Sequence, residues 1–87
     1  MSRDPNKLDV FHHAHTLVLT VYRITARLPR GERFGLQAQL RRAVASIPTN
    51  IVEGASRRSA ADYARFLDVA VGSAAEVRYL LLLCRDL

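Results

Sequence analysis

The sequence predicts an all-α fold, in which one domain, residues 1–87, forms an antiparallel bundle of three long helices. The chain has only 4 glycines and 3 prolines, so it offers few places for turns, and this favours long helices. Apolar residues recur at intervals of three and four through three segments, the spacing that places them on one face of a helix. No segment shows the alternation that is typical of a strand.

The first predicted helix covers residues 7–28. Its apolar face consists of Val10, Phe11, Ala14, Leu17, Val18, Val21, Ile24 and Leu28. Pro29 and Gly31 follow directly. They predict the end of the helix, because proline cannot continue the hydrogen-bond ladder and glycine suits the exit.

The second predicted helix covers residues 33–56 and contains Pro48. Its apolar face consists of Leu36, Leu40, Ala43, Val44, Ile47 and Ile51. Proline removes one backbone donor and clashes with the preceding turn, so we expect this helix to be bent or broken at Pro48.

The third predicted helix covers residues 59–86 and begins with Ser59 as its N-cap. Gly72 and Ser73 lie in its middle, where small side chains would let another helix approach closely. Its last part is apolar on every side, and three helices cannot easily cover all of it. We therefore predict an interface between copies of the chain, formed by Leu80, Leu82 and Leu83.

The composition excludes some classes of protein. The single cysteine, Cys84, rules out a disulfide framework or a multi-cysteine zinc site within one chain. The first ten residues lack the apolar core of a signal peptide, and the longest apolar run is too short to span a membrane. We therefore expect no membrane partner and a location in the cytoplasm.

The net charge of +5 is concentrated in the middle of the chain. Residues 22–58 carry eight arginines against two acids, a surplus of six, whereas residues 1–21 are neutral and residues 59–87 carry a net −1. Because arginine suits phosphate, we predict a binding site for the phosphate backbone of RNA or DNA. Its predicted residues are Arg23, Arg27, Arg30, Arg41, Arg42, Arg57 and Arg58. Tyr22 and Phe34 are the few aromatic residues in this part of the chain, so we expect limited base stacking and weak sequence preference.

His12, His13 and His15 form a cluster in which His12 and His15 share a helix face and could bind a metal. We favour the alternative that these are solvated polar positions, and we predict neither a metal nor a cofactor.

Ser46, Asn50, Glu53 and Arg57 repeat at intervals of three and four beside the apolar face of the second helix. They could line a polar pocket, or they could serve the helix itself. In the second interpretation, which we favour, Glu53 and Arg57 pair, while Ser46 and Asn50 satisfy backbone groups that Pro48 leaves free.

The sequence contains no arrangement that is typical of an active site. Cys84 lies in a leucine-rich stretch, where a buried thiol is inert, and neither a Ser-His-acid arrangement nor a glycine-rich phosphate loop is recognisable. We therefore predict a binding protein and not an enzyme.

Two strings in the middle of the chain resemble the core of a bacterial family. They are FGLQAQLRRA at residues 34–43 and SIPTNIVEG at residues 46–54, and further identities extend the resemblance over about residues 10–84. The family consists of the four-helix-bundle proteins encoded in intervening sequences of 23S ribosomal RNA genes.

The resemblance implies a four-helix bundle that assembles into ring-shaped pentamers. It also implies kinship with the accessory protein of diversity-generating retroelements, which is basic, binds nucleic acid and contacts a reverse transcriptase. Family members continue for about one more helix past the position of Leu87, so we expect the last helix of the bundle to be missing from this sequence.

Two functions of different classes remain open at this point. The chain is either a basic oligomeric protein that binds RNA or DNA, or a self-assembling scaffold for a protein partner whose charge is incidental. Salt-dependent binding to generic nucleic acid distinguishes the two, because only the first requires it.

Overall fold

The structure is a computed structural model that describes residues 3–87. Every regular element in this range is helical, and three α-helices account for most of it: α1 at Asp9–Thr25, α2 at Ala38–Ala55 and α3 at Ala60–Asp86. Short 3-10 turns cover Pro5–Lys7 and Arg30–Glu32, and a π-helical turn covers Arg33–Gln37. The prediction of an all-α chain with three long helices is confirmed.

The first helix ends three residues earlier than the sequence predicts. After Thr25 the backbone tightens, because Arg27 N–H donates to the Ile24 carbonyl (3.1 Å) and Leu28 N–H donates to the Thr25 carbonyl (3.1 Å). Such three-residue bonds are common at helix ends. The turn then reaches Pro29, which starts the connection to α2.

Of the predicted bend or break at Pro48, the break is absent, since α2 is helical without interruption from Ala38 to Ala55. Pro48 removes the donor that the Val44 carbonyl would have in a regular helix. Side chains that follow Pro48 bond to the next two carbonyls. Thr49 Oγ1 donates to the Ala45 carbonyl (2.7 Å), and Asn50 Nδ2 donates to the Ser46 carbonyl (2.8 Å). Packing of the same face on both sides of Pro48 outweighs the cost of one lost hydrogen bond.

The third helix begins where its capping sequence predicts. Ser59 has an extended backbone, and its Oγ accepts a hydrogen bond from Asp62 N–H (3.0 Å), so the predicted N-cap is confirmed. The helix then continues for 27 residues to Asp86.

Helix α2 is the central element of a molecule that measures 45 × 20 × 18 Å. It packs along both α1 and α3, whereas the backbones of α1 and α3 approach each other little within residues 3–87. Near its end α2 comes so close to α3 that a Cβ atom on Gly54 would lie 2.8 Å from Phe66 Cβ. Glycine is therefore required at this crossing.

The core is one apolar cluster with contributions from all three helices. Its fully buried members are Val21 from α1 and Leu40, Val44 and Ile51 from α2. Ala70, Val77 and Leu80 extend it along α3. The bundle arrangement follows from these shared faces.

Candidate nucleic-acid interface

The short connections make neighbouring helices antiparallel, so the bundle has two distinct ends. The Ser46 and Ser73 hydroxyls meet in the middle at 2.7 Å. Beyond this level in one direction lie the end of α1, the start of α2 and the end of α3, and a cavity lined by Leu28, Leu36 and Cys84 shows that the three meet there. We call this the basic end, for the reason that follows.

The whole net charge of the protein lies at the basic end. Its cations are Arg23, Arg27, Arg30, Arg33, Arg41, Arg42, Arg78 and Arg85, and its acids are Glu32, Glu76 and Asp86. Eight cations against three acids leave a surplus of five, which equals the net charge of the chain. The opposite half carries five cations and five acids and is therefore neutral.

Most arginines of the basic end are open to solvent. All of them except Arg41 are exposed: Arg23, Arg27, Arg30, Arg33, Arg42, Arg78 and Arg85. Among the described residues ion pairs form only between Asp62 and Arg65 (3.4 Å) and between Arg85 and Asp86 (2.9 Å). Six guanidinium groups, those without an ion pair, are thus available to phosphate, and their mutual repulsion favours a bound polyanion.

Arg41 differs from these exposed arginines because its side chain binds the end of α1. Its Nε donates to Thr25 Oγ1 (3.0 Å), its Nη2 donates to the Tyr22 carbonyl (3.0 Å), and its guanidinium stacks over the Tyr22 ring at 4.4 Å. Gln37 Nε2 completes the cap by donating to the Thr25 carbonyl (3.0 Å). The Tyr22 and Thr25 carbonyls also accept backbone hydrogen bonds from Ala26 N–H and Leu28 N–H, so Arg41 and Gln37 add second bonds that hold the start of α2 against the end of α1.

The seven arginines predicted from the sequence do not form one surface. Arg57 and Arg58 follow the end of α2, whereas Arg41 and Arg42 lie in its first turns, so the pairs are separated by roughly 20 Å or more at 1.5 Å per helical residue. Arg57 stacks over the Phe66 ring at 4.6 Å. The structure therefore divides the predicted site into five residues at the basic end and two at the opposite end.

Three arginines of the basic end are not in the predicted site. Arg33 stands in the connection before α2, and Arg78 and Arg85 belong to the last part of α3. Residues 59–87 as a whole carry a net −1, so a count of charge along the chain does not single out Arg78 and Arg85. The signal that predicts their position is the antiparallel direction of α3, which brings its last part next to the start of α2.

The polar motif on α2 includes one bonded pair. Asn50 Nδ2 donates to the Ser46 carbonyl (2.8 Å) and to Ser46 Oγ (3.1 Å). Pro48 removes the donor of the Val44 carbonyl, so the prediction that Ser46 and Asn50 satisfy groups freed by Pro48 stays a prediction. The predicted pairing of Glu53 with Arg57 is wrong, since no ion pair joins these side chains in residues 3–87. The Arg57 guanidinium stacks on the Phe66 ring instead. Stacking on a neighbouring ring competes with an exposed ion pair of small energy.

The histidine cluster lies on α1 in the opposite half of the bundle. His12 Nε2 donates to the Asn6 carbonyl (2.8 Å), and the His15 ring stacks on Phe11 with their centroids 6.2 Å apart. All three histidines are exposed. No group of three or more metal-ligating side chains comes together in the described part of the chain.

The leucines at the end of α3 have different surroundings. Leu80 is buried in the chain's own core, and Leu83 is half-buried against it. Leu82 is 42% exposed and lines an open groove with Tyr79 and Arg78. Of the three residues predicted to contact another copy, Leu82 is the one with substantial free surface.

Cys84 borders a cavity of about 250 Å³ between the end of α3 and the connection after α1. Burial raises the pKa of the Cys84 thiol, and the nearby Glu32 carboxylate raises it further. A thiol with a raised pKa carries little thiolate at neutral pH and is a poor nucleophile.

None of the helices in residues 3–87 combines the length and apolarity that crossing a bilayer requires. The longest, α3, contains seven charged side chains from Asp62 to Asp86.

Comparison with known proteins places the chain in a family. The sequence profile of the 23S rRNA-intervening sequence protein family matches residues 6–87. The chain belongs to this family. The match includes all three helices and every arginine of the basic end, so the surface described above is part of a 23S rRNA-intervening sequence protein and not an addition to it. No curated protein matches the chain.

Proposed function

We propose that the protein is a non-enzymatic binder of RNA or DNA that contacts the phosphate backbone with its basic end. The observation that carries this proposal is the separation of charge, which concentrates a surplus of five at one end and leaves the other half neutral. A random distribution of arginines would spread the same charge over the whole surface. Concentrated charge attracts a polyanion at long range and gains from releasing its counterions.

Weak sequence preference belongs to the same proposal. The six exposed arginines without an ion pair are long and flexible, and contacts to phosphate carry no information about the base. We also propose a cytoplasmic location and assembly into a ring, with five copies as the family resemblance suggests. Such a ring would present several basic ends to one nucleic acid.

The test is fluorescence anisotropy with labelled RNA and DNA of mixed sequence at low and physiological salt. We expect affinity to fall steeply with salt, with a slope of roughly 0.7–0.9 for each phosphate contacted. The triple variant Arg23→Glu, Arg27→Glu and Arg30→Glu should weaken binding to every sequence alike and lower the salt slope by about one for each lost phosphate contact.

A control of equal charge is available in the other half of the molecule. The variant Lys7→Glu, Arg57→Glu and Arg58→Glu changes the net charge by the same amount, so a general effect of charge would weaken binding equally in both variants. Stronger loss from the first variant supports the basic end. Stronger loss from the second moves the interface to Arg57 and Arg58, and no binding at low salt rejects the proposal.

A self-assembling scaffold is the second candidate, and exposed apolar residues favour it. Val71, Tyr79 and Leu82 on α3 are 68%, 59% and 42% exposed. Leu82, Tyr79 and Ala75 line one open groove on the outer side of this helix. A second copy of the chain would bury this apolar surface, and the two candidate functions are compatible because the groove and the exposed arginines of α1 are different surfaces.

A further inference from the structure

Phe34 is the most exposed large apolar residue of the described chain, with 90% of its surface open to solvent. It stands in the π-helical turn Arg33–Gln37 between α1 and α2, at the tip of the basic end. Arg30 and Arg33 precede it, and both are exposed. The turn therefore holds an aromatic ring in water close in sequence to two exposed guanidinium groups.

The exposure of Phe34 does not result from a loose connection. Leu36, two residues later, is buried in the core, and its N–H donates to Glu32 Oε2 (3.4 Å). Gln37 is fixed by its bond to the Thr25 carbonyl at the end of α1. Before Phe34, Glu32 N–H donates to the Pro29 carbonyl (2.9 Å), so the chain is held on both sides of the ring and a defined turn presents it outward.

The faces of the Phe34 ring are also free of arginine. In the part of the chain that the structure describes, the guanidinium groups of Arg3, Arg41, Arg57 and Arg65 lie over Tyr63, Tyr22 and Phe66. Phe34 takes part in none of these contacts, although it has arginine neighbours in sequence. Its ring can accept another planar group.

We propose that Phe34 stacks on an unpaired base, and that the basic end therefore prefers single-stranded nucleic acid to duplex. This inference rests on the proposed function and adds a substrate class to it. Single-strand binding combines arginines along the backbone with an aromatic ring under a base, whereas the bases of a duplex are already stacked on one another. The structure places both components within one short connection.

The test compares a labelled single strand of about 20 nucleotides with the duplex made from it, in the full chain and its variants. Phe34→Ala should weaken binding to the single strand by roughly 5- to 150-fold, the range for losing one stacked base. Binding to duplex should change by less than about twofold, since the phosphate contacts remain. Phe34→Tyr keeps a ring and should keep most of the affinity.

Tyr79→Ala is the matched control, because it removes another exposed aromatic ring, from the outer side of α3. It should leave the ratio of the two affinities unchanged. Equal loss of single-strand and duplex binding in Phe34→Ala, or no loss of either, overturns the inference while the proposed function stands. If the unaltered protein binds neither form at low salt, both fail.

A direct measurement of stacking is possible because the chain contains no tryptophan. Phe34→Trp introduces a single tryptophan, whose emission can be excited apart from that of the three tyrosines. A stacked base should quench this emission, while heparin, a polyanion without bases, should leave it unchanged. Quenching by both polyanions contradicts stacking. A changed oligomer mass in Phe34→Ala together with unchanged single-strand affinity would assign the ring to a contact between copies instead.

Discussion

Arg41 and Arg42 are neighbours in the sequence, but they have different surroundings. Arg41 is half-buried and donates to Thr25 Oγ1 and the Tyr22 carbonyl, whereas Arg42 is exposed. Thr25 itself is 1% exposed, so its hydroxyl depends on protein partners for its hydrogen bonds. One arginine therefore stabilises the fold, and the other is available to a ligand.

Replacing these two arginines in turn separates the two roles. Arg41→Ala should lower the free energy of unfolding by about 1–3 kcal/mol, because it removes the charged donor to the buried Thr25 hydroxyl together with the bond to the Tyr22 carbonyl and the stacking over the Tyr22 ring. Arg42→Ala should change it by less than about 0.5 kcal/mol and should instead weaken nucleic-acid binding. Urea unfolding followed by circular dichroism measures the first effect. Equal stabilities of the two variants would contradict the cap.

At this scale the sequence predicts local contacts better than distant ones. The bond from Asn50 to Ser46 follows from a spacing of four on a helix, and it was predictable. The bond from Ser46 to Ser73 joins two helices, and nothing in either local sequence specifies that register. The contact of Arg41 with the end of α1 was equally unpredictable from local sequence, since it depends on where that end lies relative to α2.

Two glycines show how differently one residue type acts within α2 and α3. Gly54 faces α3, where an added Cβ would meet Phe66 Cβ at 2.8 Å and Tyr63 Cδ1 at 3.1 Å. Gly72 lies in the interior of α3 with nothing within 4 Å of the same position. The first permits a close helix crossing, and the second only weakens its helix.

Alanine at these positions should have opposite effects. Gly54→Ala should destabilise the protein by about 1–3 kcal/mol, because the added Cβ meets Phe66 Cβ. Phe66 Cβ is joined directly to the backbone of α3, so it cannot move aside unless the two helices separate. Gly72→Ala should stabilise it by roughly 0.5–1 kcal/mol through helix propensity alone. Thermal unfolding of both variants tests the pair. A stabilising Gly54→Ala would show that α2 and α3 are not in close contact there.

Among the elements, periodicity predicts which segments are helical, but not what happens at a proline. The apolar spacing predicted all three helices, and the Ser59 cap predicted the start of α3 to within a residue. The break at Pro48 was predicted from local sterics, while packing of Ile47 and Ile51 on the same core keeps α2 continuous. Tertiary contacts decided that case.

The charge of the whole molecule is arranged in a way that a count along the chain cannot show. The sequence places its surplus in residues 22–58, but antiparallel packing sends Arg57 and Arg58 to one end and Arg41 and Arg42 to the other. The same packing adds Arg78 and Arg85 to the basic end. Which arginines act together is a property of topology, which the helical pattern alone leaves undetermined.

Self-assembly is testable at the scale of the whole molecule. We expect light scattering at micromolar concentration to give a mass above the 9.7 kDa of one chain. Leu82→Asp should reduce the mass to one chain, because an interface does not tolerate an unpaired buried charge. Val69→Asp is the control, since Val69 is 50% exposed and lies on another side of α3. A single-chain mass for the unaltered protein would contradict this prediction.

The position of the charge at one end has a consequence for any ring of identical copies. Cyclic symmetry directs the same end of every subunit to the same face, so each added copy brings five more positive charges to a crowded surface. Repulsion there opposes assembly, and a bound polyanion relieves it. Because such coupling is reciprocal, bound nucleic acid should raise the affinity between subunits by the same factor by which ring formation raises the affinity for nucleic acid.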